Sequence, residues 1–120
     1  MKNFTLGKLE IAIKEEAGVL KFTWQGVSEN KDLIPFLEPF YTNVLATQTP
    51  KKVILDFRTL KSMNSSTVPA IIDWAKNYGE NGVEVRICYN KVSNWQRTSF
   101  RLLATISNNL KNVSVESVED

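Results

Sequence analysis

Histidine is absent from the 120-residue chain. Its absence removes the Ser-His and Cys-His nucleophile pairs, the commonest general base near neutral pH, and the commonest zinc ligand. The single cysteine, Cys88, excludes an internal disulfide and suits a reducing, cytoplasmic setting. No apolar run approaches the roughly 20 residues of a membrane-spanning helix, so direct insertion into a bilayer is not expected. The opening MKNFTLGKLE lacks the apolar stretch and small-residue cleavage site of a secretory signal. Asn3, Asn64 and Asn112 fit the N-glycosylation pattern, which means little without such a signal. Charge of one sign is missing too. The 15 basic and 13 acidic residues are mixed along the chain and leave a net +2, so no broad field for nucleic acid or anionic lipid is expected.

What is present suffices for a core. Hydrophobic residues make up 42% of the chain, and its length fits a single domain over residues 1–120. Leu9, Ile11 and Ile13 alternate with polar residues, as do Leu20, Phe22 and Trp24, and KEEAG between them supplies a turn: this predicts a hairpin. Leu33, Leu37, Phe40, Tyr41 and Val44 follow helical spacing, with Pro35 allowed in a first turn and Pro39 predicting a kink or a late start. VILDFRTL, with its unbroken Val53-Ile54-Leu55 run, suits a central strand covered on both faces. SSTVPAIIDWAKNYG reads as a helix, with Val68, Ile71, Ile72, Ala75 and Tyr78 inward and Gly79 at its end. A strand over GVEVRICY follows, then a helix with Leu102, Leu103, Ile106 and Leu110 inward, then a short strand over VSVES. The order β-β-α-β-α-β-α-β predicts an α/β fold: a mixed, mostly parallel sheet of about four or five strands, an N-terminal hairpin and about three helices.

The chemistry concentrates in KSMNSSTVPAI, where Asn64, Ser65, Ser66 and Thr67 separate a strand from a helix. In open α/β sheets the functional crevice lies beyond the carboxyl ends of the strands. A helix start also presents unpaired N–H groups and a positive dipole end. A serine here can simply cap the helix, the common use. If phosphorylated, it brings about −1.5 to −2 charges to a place that tolerates them. Pro69 favours Ser66 or Thr67 as the cap, leaving Ser65 in the loop. Asp56 at a strand end could suggest a phosphoaspartate receiver, but the acidic pair expected near a first strand is missing; it can equally bind loop N–H groups. Cys88 reads as a packed residue. Trp24 reads as core or half-buried on the hairpin, while Trp74 and Trp95 are either packed or partner anchors. Arg58, Lys61, Arg97 and Arg101 either border a phosphate or are solvated.

Residues 51–89, VILDFRTLKSMNSSTVPAIIDWAKNYGENGVEVRICY with its two leading lysines, resemble the STAS domain of bacterial anti-sigma-factor antagonists and sulfate transporters. The resemblance lies in an apolar strand ending in Asp56, a D-S-S/T-G-like motif opening a helix, a glycine pair and a further strand. Asn64 stands where the motif has Asp, and Thr67 where it has Gly; the N-S-S form is similar to a subgroup of STAS-like bacterial regulators. The resemblance implies a cytoplasmic, bacterial, non-enzymatic regulator of transcription with no cofactor, metal or catalytic residue. It implies a protein partner that is both anti-sigma factor and serine kinase, with an opposing phosphatase. Ser65 is then the phosphoacceptor, with Ser66 the alternative. Asp56, Asn64, Ser65, Ser66 and Thr67 are the partner-binding positions. The resemblance also allows a second role, a non-enzymatic subunit of a membrane transport assembly. A serine hydrolase is disfavoured, because no histidine or G-x-S-x-G elbow accompanies Ser65, and no P-loop is present.

Overall fold

The computed structural model describes residues 2–47 and 49–118. Ten elements follow in chain order: β1 (Lys2–Leu6), β2 (Leu9–Glu16), β3 (Val19–Ser28), α1 (Leu33–Thr47), β4 (Lys52–Asp56), β5 (Leu60–Met63), α2 (Thr67–Glu80), β6 (Glu84–Asn90), α3 (Asn94–Ser107) and β7 (Val113–Val118). The strands form one mixed sheet in the order β1-β2-β3-β4-β6-β7, with β5 also paired to β3. β1, β2 and β3 are antiparallel neighbours, and every later pairing is parallel.

The α/β class, the hairpin and the three helices agree with the sequence reading. The sheet has two more strands than expected, β1 and β5. β1 is a short edge strand, turned onto β2 through Gly7 at φ +60°. β5 arises because the VILDFRTL run breaks after Asp56. The Asp56 carboxylate accepts the Arg58 N–H at 3.0 Å, and the Leu60 N–H turns back to the Phe57 carbonyl at 3.0 Å. β4 and β5 therefore lie end to end along the ten-residue β3, the first against Val19–Thr23 and the second against Gly26–Ser28. Gly26 sits at that irregularity with φ +84°; a Cβ there would lie 2.1 Å from the Lys8 carbonyl oxygen, so no other residue fits.

One face of the sheet makes the core. Leu9, Ile11, Phe22, Trp24, Leu55 and Ile87 are buried there against the helices. α1 turns Leu33, Leu37, Phe40 and Tyr41 inward as expected and runs unbroken through Pro39. The bond that Pro39 forfeits would have gone to the carbonyl of Pro35, in the exposed first turn, where water can replace it. α2 buries Ala70, Ile71, Trp74, Ala75 and Tyr78. Gly79 does not end α2. It lies inside the helix because a Cβ there would meet the Lys111 carbonyl oxygen at 2.1 Å, and Gly82 at φ +81° makes the exit.

Two expectations are corrected by packing. α3 is rotated from the expected face: Gln96, Phe100, Leu103 and Ser107 are buried, whereas Leu102 and Ile106 are exposed. The β4 run is covered on one face only. Ile54 points to the other face, half-buried between its strand neighbours Lys21 and Arg86, whose aliphatic stems shelter it. That second face carries mostly polar residues tied by ion pairs such as Lys52–Glu84 and Arg86–Glu116.

Candidate functional site

The serine loop leaves β5, enters α2, and is held at both ends. The Asn64 N–H donates to the Ser28 carbonyl at 2.8 Å, pinning the loop to the end of β3. The Asn64 side-chain Oδ1 accepts the Thr67 N–H at 3.1 Å and the Thr67 hydroxyl at 2.8 Å. The Thr67 proton being so used, the Ser28 hydroxyl donates to Thr67 Oγ1 at 2.6 Å. Ser28 and Thr67 are both fully buried, so a chain of three polar side chains runs from the core to the loop.

This arrangement reassigns the cap. A side chain that accepts the N–H three residues on is a helix N-cap by function, and here that side chain is Asn64, not Ser66 or Thr67. Ser66 already has helical angles (φ −69°, ψ −19°) and its hydroxyl makes no capping bond. Ser65 and Ser66 thus occupy the first turn, both exposed. Pro69 forfeits a bond to the carbonyl of Ser65, an exposed residue of the first turn, where such a loss is tolerated. No acidic residue lies in the first turn of α2, so the partial positive charge at its mouth is left uncancelled beside two free hydroxyls.

The five expected partner-binding positions therefore fall into two groups. Ser65 and Ser66 are presented to solvent, and Asn64 is half-buried. Thr67 faces the core, and Asp56 is only 4% exposed. Asp56 lies on the sheet face away from the helices. Its Oδ1 accepts the Arg58 N–H and Nε–H, its Oδ2 accepts an Arg58 NH2 donor at 2.9 Å, and Lys21 Nζ stands 3.5 Å away. Burial alone would push this carboxyl up, but the Arg58 hydrogen bonds and the Arg58 and Lys21 charges outweigh burial and hold it below 3.8. A carboxylate with both oxygens so occupied organises its strand end and is not open to a phosphoryl group.

Ser28, Lys21 and Gln96 were not singled out from the sequence. Gln96 accepts the Asn90 N–H at 2.8 Å and donates to the carbonyls of Phe57 at 2.7 Å and Leu60 at 3.0 Å. One side chain thereby ties the start of α3 to the connection that carries the serine loop. Apart from Asn90, six residues before Gln96, these partners lie tens of residues away, where nothing local in the sequence could reveal them; the Asn-x-x-Thr spacing could have suggested Asn64 as the cap. Of the basic candidates, Arg58 holds Asp56 and Arg97 donates to the Lys91 carbonyl, while Lys61 and Arg101 are exposed. Trp24 and Trp74 are fully buried and so are core rather than anchors; Trp95 is half-buried. Burial raises the Cys88 thiol to about 11, and the Glu116 and Asp56 carboxylates reinforce the shift. Among the described residues no cluster of metal-ligating side chains occurs, and no helix is long and apolar enough to cross a membrane.

Comparison with known proteins agrees with this architecture. An anti-sigma factor antagonist from Mycobacterium paratuberculosis superposes with a TM-score of 0.63 at 12% identity, covering 88% of this chain and 85% of that one. A DUF3478-family protein of SpoIIAA-like fold from Shewanella loihica PV-4 gives a TM-score of 0.56 at 15% identity, covering 93% of this chain and 86% of that one. At such identities the likeness is one of fold. No curated protein matches in sequence. The family model for the STAS domain matches residues 9–93, well over half of the chain, and the protein belongs to the STAS family.

Proposed function

We propose that this protein is a small, non-enzymatic regulatory module that docks a protein partner of the anti-sigma-factor and serine-kinase type, and that phosphorylation of Ser65 releases it. A partner phosphatase resets the switch. The observation that carries this reading is the division of labour in the loop. Asn64 and Thr67 hold the backbone, leaving the Ser65 hydroxyl exposed at a helix mouth that has no acidic residue in its first turn. Phosphate added there meets the positive end of α2 and unpaired first-turn N–H groups, so the fold tolerates it. The same phosphate places about −1.5 to −2 charges on what was a neutral contact surface, and a partner fitted to a bare serine is repelled.

Trypsin cuts after Lys61 and Lys76, so the loop is recovered as the single peptide Ser62–Lys76. Fragmentation of that peptide from protein isolated out of its own cells should locate a phosphate on Ser65. Pull-downs should then show a partner retained by Ser65→Ala and lost by Ser65→Asp. A peptide that stays unmodified under every growth condition, together with a partner that binds both variants equally, would sink the proposal.

A further inference from the structure

A cleft of about 490 Å³ opens between the sheet and α1. That volume is in the range of small-molecule sites and is more than one side chain of a docking protein would fill. Leu20, Phe22 and Phe40 are buried and form its floor, while Phe4, Ile13 and Val44 are half-buried and form its walls. Phe40 packs on Phe4 with ring centroids 4.7 Å apart and on Phe22 at 6.1 Å, so the cleft is framed by aromatic groups that the core already holds in place. It lies at the Leu20 end of β3, whereas the serine loop is pinned at the Ser28 end.

The charge at this cleft has one sign. Glu15 stands opposite Leu20 in the β2–β3 register, so its side chain leaves the sheet on the side of the helices. Among the described residues it is the one charged side chain that lines the cleft. Its neighbours Lys14 and Glu16 pair with each other on the opposite face, and the Lys51 chain rests along Gly18 of the turn without lining the cleft. Val44 belongs to the last turn of α1, which holds no basic residue, so the partial negative charge of that helix end is not offset within the helix. The faces of phenyl rings also favour a cation over an anion. We infer that the cleft binds a small amphipathic cation: an apolar body between α1 and the sheet, ending in an ammonium group beside Glu15. An anion would meet Glu15 and the helix end with the wrong sign, and a neutral molecule would leave both unanswered. The site shares no residue with the serine loop and does not depend on the phosphorylation reading.

The full chain is titrated calorimetrically with decylammonium, decanol and decanoate, each below its micelle-forming concentration. Decylammonium should bind at one site and shift the methyl resonances of Ile13, Leu20 and Val44, and decanoate should bind about tenfold or more weakly. Glu15→Gln should weaken decylammonium about threefold to fivefold, leave decanol unchanged, and remove most of the salt dependence. Val44→Phe, which fills the cleft, should abolish binding of decylammonium and decanol while the circular dichroism stays that of the parent. Absence of decylammonium binding, equal affinity for decanoate, binding that leaves those methyl resonances unmoved, or full decylammonium affinity in Glu15→Gln or in a folded Val44→Phe would each overturn the inference.

Discussion

Replacing Thr67 by valine tests whether the serine loop is held from inside the core. Valine has nearly the shape of threonine, so the substitution opens no cavity and isolates the hydroxyl. The Thr67 N–H still reaches Asn64 Oδ1 at 3.1 Å, so the cap survives in part. What is lost is the 2.8 Å bond from the Thr67 hydroxyl and the acceptor for the Ser28 hydroxyl at 2.6 Å. Ser28 is fully buried, so its O–H is stranded away from water. An orphaned buried donor costs about 1–3 kcal/mol, and we expect Thr67→Val to destabilise by about 2 kcal/mol. Ser28→Ala leaves the Thr67-to-Asn64 bond intact and should cost about 1 kcal/mol. The double variant removes both hydroxyls, strands neither, and should cost about 1 kcal/mol rather than the sum of the two. In urea, with a slope of about 2 kcal/mol per molar, Thr67→Val lowers the midpoint by about 1 M. A Thr67→Val midpoint equal to that of the parent, or a double variant whose loss is the simple sum, would refute the buried relay.

The remaining expectations concern the surroundings of the loop. Asp56 titrates lower in the folded chain than its ordinary 3.8, so its stabilisation is complete at neutral pH and is lost as pH falls below 3.8 through the folded value. The stability gap between parent and Asp56→Asn in urea melts should therefore be widest near pH 7 and close in acid; a gap unchanged down to acid pH would contradict the Arg58 pairing. Cys88, held at about 11 and buried, should react with iodoacetamide at pH 8 at least about a hundredfold more slowly folded than in urea, because the thiolate fraction falls tenfold for each unit. Rapid alkylation of the folded chain would show the thiol to be open. Gly79→Ala forces a methyl towards a carbonyl oxygen 2.1 Å away and should lower stability by about 1–3 kcal/mol, read as a urea midpoint shift, whereas a neutral outcome would mean that α2 and the Lys111 turn separate easily.

Elements fixed by local periodicity were legible in the sequence. The Leu9–Trp24 hairpin and the inward face of α1 are set by spacing alone, and the structure reproduces both. Elements fixed by particular side-chain hydrogen bonds rather than by apolar spacing were not. The break that creates β5 depends on an Asp56-to-Arg58 turn that competes locally with the ladder, inside a run that looks continuous. The face of α3 was misjudged because counting apolar residues favours Leu102 and Ile106 over Gln96. Gln96 goes inside because backbone groups of Phe57, Leu60 and Asn90 wait there to be satisfied. The same holds for the candidate site. The exposed serines at a helix start could be read directly, but Ser28, 39 residues from Thr67, could not.

The two departures from the D-S-S/T-G pattern act as one structural unit. An aspartate at position 64 could accept the same Thr67 N–H, so the cap by itself does not require asparagine. A glycine at position 67 would leave Ser28 without an acceptor and the capping oxygen with one bond instead of two. With Thr67 present, Asn64 Oδ1 is committed to both the N–H and the hydroxyl, and the threonine side chain is drawn into the core. The charge that a motif aspartate would show to a partner, and the open backbone that a motif glycine would offer, are thus given up together for an internal anchor. What the loop still presents to solvent is two hydroxyls on a neutral, firmly held turn. A partner that recognises this loop must read Ser65 and Ser66 themselves, and a change of charge at Ser65 alters most of what it reads.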